Sequence, residues 1–152
     1  MKRIFILLSI LCINYKAFCQ RPETIDTVSA NSVTIGFLEG GGSIAGIDFE
    51  KLLSHQFGFQ LGFGIVGFGA GFDLHLKPTI RSSFVSLLYW HQGFGETYTQ
   101  SLLGPNFVFR GKRWFTCQLG CGFIVDKGPA FPDRLKNTNA MLTYAIGAYF
   151  PW

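Results

Sequence analysis

Alternation between bulky and very small side chains is the feature of this sequence that most constrains its fold. Residues 56–66 carry Phe or another large apolar side chain at every second position, with Gly or Gln between them, and residues 67–77 continue the alternation. A period of two is typical of a β-strand whose two faces meet different surroundings. The pattern therefore predicts an all-β chain with one bulky apolar face and one small or polar face.

Eight segments of this kind follow one another after residue 31. We predict strands at residues 32–41, 44–52, 56–66, 67–77, 82–92, 98–110, 112–125 and 140–152, separated by turn signals. Residues 82–92 are apolar on both faces, which leaves the orientation of that strand open. Helices are disfavoured because Gly recurs inside almost every segment, at a cost of about 1 kcal/mol each relative to Ala. Eight sequential strands predict an antiparallel up-and-down β-barrel.

The direction in which the bulky face points decides the class of barrel. In a soluble lipocalin-like barrel that face surrounds a ligand, whereas in a membrane barrel it meets lipid. An eight-stranded barrel is so narrow that rows of Phe, Leu and Ile would overfill it, while the Gly-rich face fits inside. Only 14% of the residues are charged, against roughly 25% in soluble domains. We therefore expect a transmembrane β-barrel and keep a soluble secreted ligand-binding barrel as an alternative.

The N-terminal residues have the layout of an export signal. Lys2 and Arg3 precede an apolar run at residues 4–13, which is shorter than the roughly twenty residues of a spanning helix. We predict a signal peptide at residues 1–19, a flexible periplasmic segment at 20–31 and a barrel at 32–152. The signal holds three of the 13 basic residues and none of the nine acidic ones, so its removal lowers the formal net charge from +4 to about +1. That near-neutral balance argues against nucleic acid as a partner.

Two of the four cysteines, Cys117 and Cys121, lie beyond the predicted signal. On one strand they would be roughly 13 Å apart, which is too far for a disulfide. No spacing typical of a zinc or iron–sulfur site occurs elsewhere. We expect no metal and no cofactor.

The last segment, TYAIGAYFPW, resembles the terminal assembly signal of outer-membrane proteins. Gly147, Phe150 and Trp152 match that signal, while Ala145 stands where it has a polar residue. In layout, residues 33–152 are similar to small bacterial outer-membrane β-barrel proteins of the OmpX/OmpA-barrel kind. The resemblance implies a place in the outer membrane of a Gram-negative bacterium, contact with outer-membrane lipids, and recognition by the barrel assembly machinery during biogenesis. We expect a monomer.

Charged residues on the small face need partners if that face lines the lumen. We predict a polar network there, formed by Asp48, Glu50, Asp73, His75, Lys77 and Arg110. Eight strands leave no room for an aqueous channel. The expected function is therefore a non-enzymatic structural or interaction role in a barrel too narrow to be an open porin.

A hydrolase that modifies lipid A or phospholipids is the alternative in the enzyme class. His91, Glu96 and Ser101 are candidates for a general base, its orienting acid and a nucleophile. Their spacing reproduces neither the His-x-Ser pattern of lipid A deacylases nor the GxSxG nucleophile elbow. An interfacial position for His91, beside Tyr89 and Trp90, is the favoured interpretation.

Overall fold

The computed structural model describes residues 29–152, so the predicted signal peptide and most of the segment at 20–31 lie outside the described residues. Eight antiparallel strands pair in chain order and close into a barrel, which confirms the predicted architecture. The strands are β1 (Asn31–Phe37), β2 (Gly46–Leu52), β3 (Phe57–Gly64), β4 (Gly67–His75), β5 (Phe84–Gln92), β6 (Gln100–Arg110), β7 (Phe115–Lys127) and β8 (Ala140–Pro151).

The two ends of the barrel carry different connections. The terminal rim holds the start of β1, the end of β8 and the turns at residues 53–56, 76–83 and 111–114. The loop rim holds the connections at residues 38–45, 65–66, 93–99 and 128–139, with the short helices Glu39–Gly42, Gly95–Thr97 and Asp133–Leu135. Within residues 29–152, no helix is long and apolar enough to cross a membrane.

The outward face of the strands is apolar from one rim to the other. Large hydrophobic side chains remain exposed on all eight strands, and Phe37, Phe63, Leu142 and Leu119 are each at least 58% exposed. The exposed charged residues of the strands are Lys51 near the terminal rim and Asp126 and Lys127 at the loop rim. The predicted assignment of the bulky face to the outside and the small face to the inside is therefore what the described strands show.

The connection between β1 and β2 folds into the mouth of the barrel. We call residues 38–43 the plug segment. It contacts β1 to β5 and β8, and Gly40 and Gly41 adopt left-handed backbone angles with φ of 64° and 82°, which Gly reaches without steric cost. Residues 38–41 were predicted to extend the first strand, but the chain turns inward after Phe37 because this left-handed run ends the pairing with β2.

Glycines on the inner faces of β3 and β4 make the space that the plug segment fills. A side chain on Gly62 would place its Cβ 3.0 Å from the Cα of Gly40 and into the carboxylate of Asp48. A side chain on Gly69 would come within 3.0 Å of the indole of Trp90. The bulky residues Leu88, Trp90 and Leu102 form a cluster in the lumen, with Leu88 and Trp90 directly beside the glycines of β4. The orientation of residues 82–92, which the sequence left open, is thus Phe84, Ser86, Leu88 and Trp90 inward.

We predict that Gly62→Ala destabilises the folded barrel by about 1–3 kcal/mol, because the added methyl group overpacks the contact with the plug segment. Urea unfolding of the detergent-folded protein, followed by Trp fluorescence, measures the change. Ala70→Val, an outward-facing substitution on the neighbouring strand, is the control and should stay within about 0.5 kcal/mol. Equal stability of the two variants would contradict the tight packing of the plug segment.

Candidate functional site

The lumen near the terminal rim holds a buried ionic cluster around Arg110. Its guanidinium contacts the carboxylate of Glu50, the carbonyl of Ile80 and, at 3.3 Å, the hydroxyl of Ser32. Glu50 also lies 2.8 Å from the imidazole of His75, a contact that is not aligned as a hydrogen bond and is an ion pair only when His75 is protonated. A guanidinium and an imidazole therefore converge on one buried carboxylate.

Aromatic rings enclose this cluster. The guanidinium of Arg110 lies 5.0 Å from the ring centre of Phe84 and 4.6 Å from that of Tyr149. His75 also stacks on the Phe84 ring, with ring centres 4.7 Å apart. The Tyr149 hydroxyl donates to the carbonyl of Gly111 at 2.7 Å, which ties the end of β8 to the turn after β6. The cation–π contacts and the exclusion of water strengthen the ion pair between Arg110 and Glu50. The aromatic rings themselves fill the lumen beside this pair.

A second polar group joins the plug segment to the wall of the barrel. The backbone N–H of Gly40 donates to the carboxylate of Asp48 at 3.0 Å. Burial, and after it the neighbouring Asp48 carboxylate, raise the pKa of Glu39 well above its usual value. Two carboxyl groups share this buried site, and their proximity favours a bound proton at Glu39.

The six residues of the predicted polar network lie in different surroundings. Asp48, Glu50, His75 and Arg110 take part in the contacts above. Asp73 is 1% exposed, and within residues 29–152 neither of its carboxylate oxygens has a hydrogen-bond partner. Lys77 is exposed in the turn after β4 and lies outside the lumen, because the chain leaves the barrel wall after His75.

The loop rim carries a separate cluster on the outward face, centred on the hydroxyl of Ser101. This oxygen lies 3.0 Å from Nδ1 of His91, 2.9 Å from the Tyr89 hydroxyl and 2.8 Å from the Tyr98 hydroxyl. Tyr98 donates in turn to the carboxylate of Asp126 at 2.9 Å. The imidazole is stacked between the rings of Tyr98 and Phe68 at 4.5 and 4.9 Å.

These contacts form one consistent set of hydrogen bonds when Asp126 is ionised and the imidazole proton of His91 is on Nδ1. An ionised carboxylate only accepts, so the single proton of Tyr98 goes to Asp126, and the oxygen of Tyr98 accepts the proton of Ser101. Ser101 then accepts from Tyr89 and from Nδ1 of His91. In this arrangement the hydroxyl of Ser101 is fully hydrogen-bonded and His91 is its donor, which is the reverse of what a general base requires.

The structure brings together two of the three predicted catalytic residues. Glu96 is exposed in the short helix after β5, and within the described chain it makes no hydrogen bond or ion pair with His91 or Ser101. The carboxylate that completes the cluster is Asp126, acting through Tyr98. Neither Tyr98 nor Asp126 was predicted, because their contact depends on the register of β6 against β7, which shifts by one residue next to Ser101.

The predicted assembly-signal residues lie where the barrel closes. Gly147 faces Gly36 across the seam between β8 and β1, and no side chain fits between their backbones. Phe150 is exposed on the outer face of β8. The Trp152 backbone N–H donates to Asn31 at 3.0 Å, and its ring lies 5.9 Å from that of Phe49. These residues complete the last seam and its outer aromatic surface.

No family model, no curated protein and no solved structure matches this chain. The fold and the two clusters therefore carry the functional argument. Among residues 29–152, no group of three His, Cys, Asp or Glu side chains is arranged to hold a metal ion.

We predict that Arg110→Met destabilises the barrel by about 3–5 kcal/mol, because it leaves the buried carboxylate of Glu50 without its strongest partner. Replacing both residues, as Glu50→Leu with Arg110→Met, should recover much of that loss because the uncompensated charge is gone. Equilibrium unfolding in detergent measures the full double-mutant cycle. Lys112→Met, two residues away and exposed, serves as the control, and a loss as large as that of Arg110→Met would contradict the assignment.

Proposed function

We propose that this chain is an outer-membrane β-barrel of a Gram-negative bacterium with a structural or interaction role and no open pore. The observation that carries the proposal is the distribution of charge in a closed barrel. Glu39, Asp48, Glu50, Asp73 and Arg110 are buried within the barrel, while the wall outside them is apolar. In a soluble barrel this arrangement would expose Phe and Leu to water over the whole wall, which disfavours the lipocalin-like alternative.

Closure of the sheet supports the same proposal. Each strand has a neighbour on both sides, as a wall without access to water requires. Aromatic side chains are concentrated near both rims, with Phe57, Trp114 and Phe150 at one and Phe37, Phe63 and Phe94 at the other. Girdles of this kind are typical of the two interfaces of a bilayer.

The charges of the terminal rim favour one orientation. Five exposed cations lie there, Lys51, Lys77, Arg81, Lys112 and Arg113, and within residues 29–152 no exposed acidic side chain accompanies them. The loop rim carries three exposed acids, Glu96, Asp126 and Asp133, beside three cations. A basic rim is attracted to anionic phospholipid headgroups. We infer that the terminal rim faces the periplasm and the loop rim faces outward.

The test is expression of the full chain in Gram-negative cells, followed by fractionation and a gel of unheated and heated samples. We expect the protein in the outer-membrane fraction, with faster migration when unheated because the closed barrel survives the detergent. Phe150→Ser with Trp152→Ser should lower the membrane-inserted amount severalfold, since both residues belong to the proposed assembly signal. Trp114→Ser, an equally exposed aromatic at the same rim, is the matched control.

Two outcomes would contradict the proposal. Solubility of the full chain in plain buffer, without a heat-dependent shift, would favour the soluble barrel. Steady single-channel current through the purified protein in a planar bilayer would contradict the closed lumen, because the plug segment fills the mouth at the loop rim and Arg110 and Ile80 fill the other end.

A hydrolase of lipid esters is the second candidate, favoured by the 3.0 Å contact between Ser101 and His91 on the outward face. The hydrogen-bond directions weigh against it. We therefore expect identical lipid mass spectra from cells expressing the wild type, Ser101→Ala and His91→Ala. Ser101→Ala should instead destabilise the barrel by about 1–3 kcal/mol, because Tyr89, Tyr98 and His91 lose a shared partner. Deacylated lipid that depends on Ser101 would establish the enzyme.

A further inference from the structure

The plug segment is attached to the barrel wall near its start and at its end. Asp48 on β2 accepts from the backbone N–H of Gly40 at 3.0 Å and is also hydrogen-bonded to the side chain of Glu39. At the other end, the Ser43 hydroxyl accepts from the backbone N–H of Val66 at 3.3 Å. Because an ionised carboxylate has no donor, the hydrogen bond between Glu39 and Asp48 requires a proton on one of the two side chains.

Asp48 has no room to turn away from this contact. Gly62 lies directly opposite it on β3, and the Asp48 carboxylate fills the position that a side chain of Gly62 would take. Glu39 and Asp48 are 5% and 6% exposed, so little water is present to screen a charge on either. Two ionised carboxylates at this site would therefore repel each other strongly, and the one that can move away belongs to the plug segment.

The backbone of the plug segment is able to follow another path. Gly40, Gly41 and Gly42 have positive φ angles of 64°, 82° and 78°, and Gly reaches the negative range as readily. Leu38 has a φ of 62°, which is strained for a residue with a side chain. Release of Leu38 from this conformation would offset part of the packing that is lost when the segment leaves the mouth.

The charges around Glu39 oppose its ionisation in the closed barrel. The plug segment packs against β1 to β5 and β8. The titratable side chains that face the interior from these strands and from β6 are Asp48, Glu50, Asp73, His75, Arg110 and Tyr149. Burial and then Asp48 raise the pKa of Glu39, Arg110 opposes them more weakly, and Cys117 on the outer face of β7 adds a small increase. An ionised Glu39 would thus add a negative charge where carboxyl groups already outnumber Arg110 and His75.

From these contacts we propose that the plug segment is a pH-operated cover of the barrel mouth: a proton shared by Glu39 and Asp48 keeps it closed, and loss of that proton releases it. On release the O–H bond of Glu39 breaks, its proton passes to a water molecule of the solution at the loop rim, and two carboxylates remain. The segment turns outward about Ser43 and uncovers Gly69 and Trp90, against which it packs. Arg110 and Ile80 still fill the other end, so opening gives access to the lumen near the loop rim and no channel.

The direction of the pH dependence follows from the protons bound in each state. The closed form keeps a proton on Glu39 at pH values where an open, water-exposed Glu39 has lost it. Closure is therefore favoured at low pH, and its advantage decreases as the pH rises from the ordinary range of a Glu side chain to the raised pKa of Glu39. Glu39→Gln has no such proton to lose, and its amide N–H can donate to ionised Asp48, so this variant should stay closed.

Quenching of Trp90 by acrylamide measures the opening, because the indole is 6% exposed and lies against the plug segment at Gly42. Trp114→Phe with Trp152→Phe removes the two exposed Trp residues and leaves Trp90 alone of the three. In the detergent-folded full chain, we expect the quenching constant of Trp90 to rise severalfold between about pH 5 and about pH 9. In Glu39→Gln it should stay at its low-pH value.

Glu96→Gln makes the same chemical change at an exposed position of the same rim, and as the matched control it should respond to pH like the parent protein. If Glu39→Gln fails to give the folded band on a gel, Asp48→Asn takes its place. The neutral amide also removes the pair of charges, so this variant should hold the low-pH quenching constant as well.

Three results would overturn the proposal. A quenching constant that does not change with pH, in a barrel that keeps its folded band, would mean that the plug segment stays in place. An equal rise in Glu39→Gln, or in Asp48→Asn where that variant replaces it, would assign the opening to another titrating group. Loss of the folded band before Trp90 becomes accessible would mean that the wall gives way and not the plug segment.

The pH-operated cover goes beyond the proposed function, because it needs the closed barrel but not a particular location. A protein that fails to reach the outer-membrane fraction would contradict the location alone, since the quenching of Trp90 can be measured in detergent or in plain buffer. A membrane-inserted barrel whose Trp90 stays inaccessible at every pH would reject the cover alone.

Discussion

The narrow lumen of an eight-stranded barrel is the constraint on which the rest of this structure depends. Every inward position shares one small volume, so a large side chain on one strand requires a small one opposite. Trp90 and Leu88 on β5 are accommodated because Gly69 and Gly71 on β4 have no side chains. The same shortage of space sends most Phe and Leu side chains of the strands outward, and Phe84, Leu88 and Leu102 are inward exceptions. One geometric limit therefore produces both the Gly-rich interior and the apolar exterior.

The filled lumen also determines how the buried charges are arranged. With little room for water, Glu50 and Asp48 depend on donors from the protein. Glu50 on β2 is paired with Arg110 on β6, while Asp48 accepts from the backbone of the plug segment. The first contact joins opposite walls of the barrel, and the second joins the plug segment to β2. Removing one partner leaves a charge that neither water nor a neighbouring side chain can stabilise.

The alternation of bulky and small residues predicted the strands well, because the small residues occupy the face that lines the narrow lumen. All eight strands lie within a few residues of their predicted bounds, since period two and turn residues are local signals. The plug segment was missed because three consecutive Gly residues resemble an ordinary turn. The contact between Ser101 and His91 depends on the pairing of β5 with β6. The contact of Arg110 with Ile80 depends on how the turn at residues 76–83 folds over the terminal rim. Such contacts are set by tertiary register, which a local pattern does not contain.

The difference in length between the two strands at the seam has a consequence for access to the interior. β1 has 7 residues and β8 has 12, because the chain after Phe37 turns inward to form the plug segment while β8 continues alongside the long β7. The inward turn fills the mouth of the barrel and so blocks passage along its axis. By leaving the wall, however, the same residues remove the partner that β8 would need to complete the seam. One inward turn thus both closes the mouth of the barrel and shortens the seam, since β1 pairs only with residues 146–151 of β8.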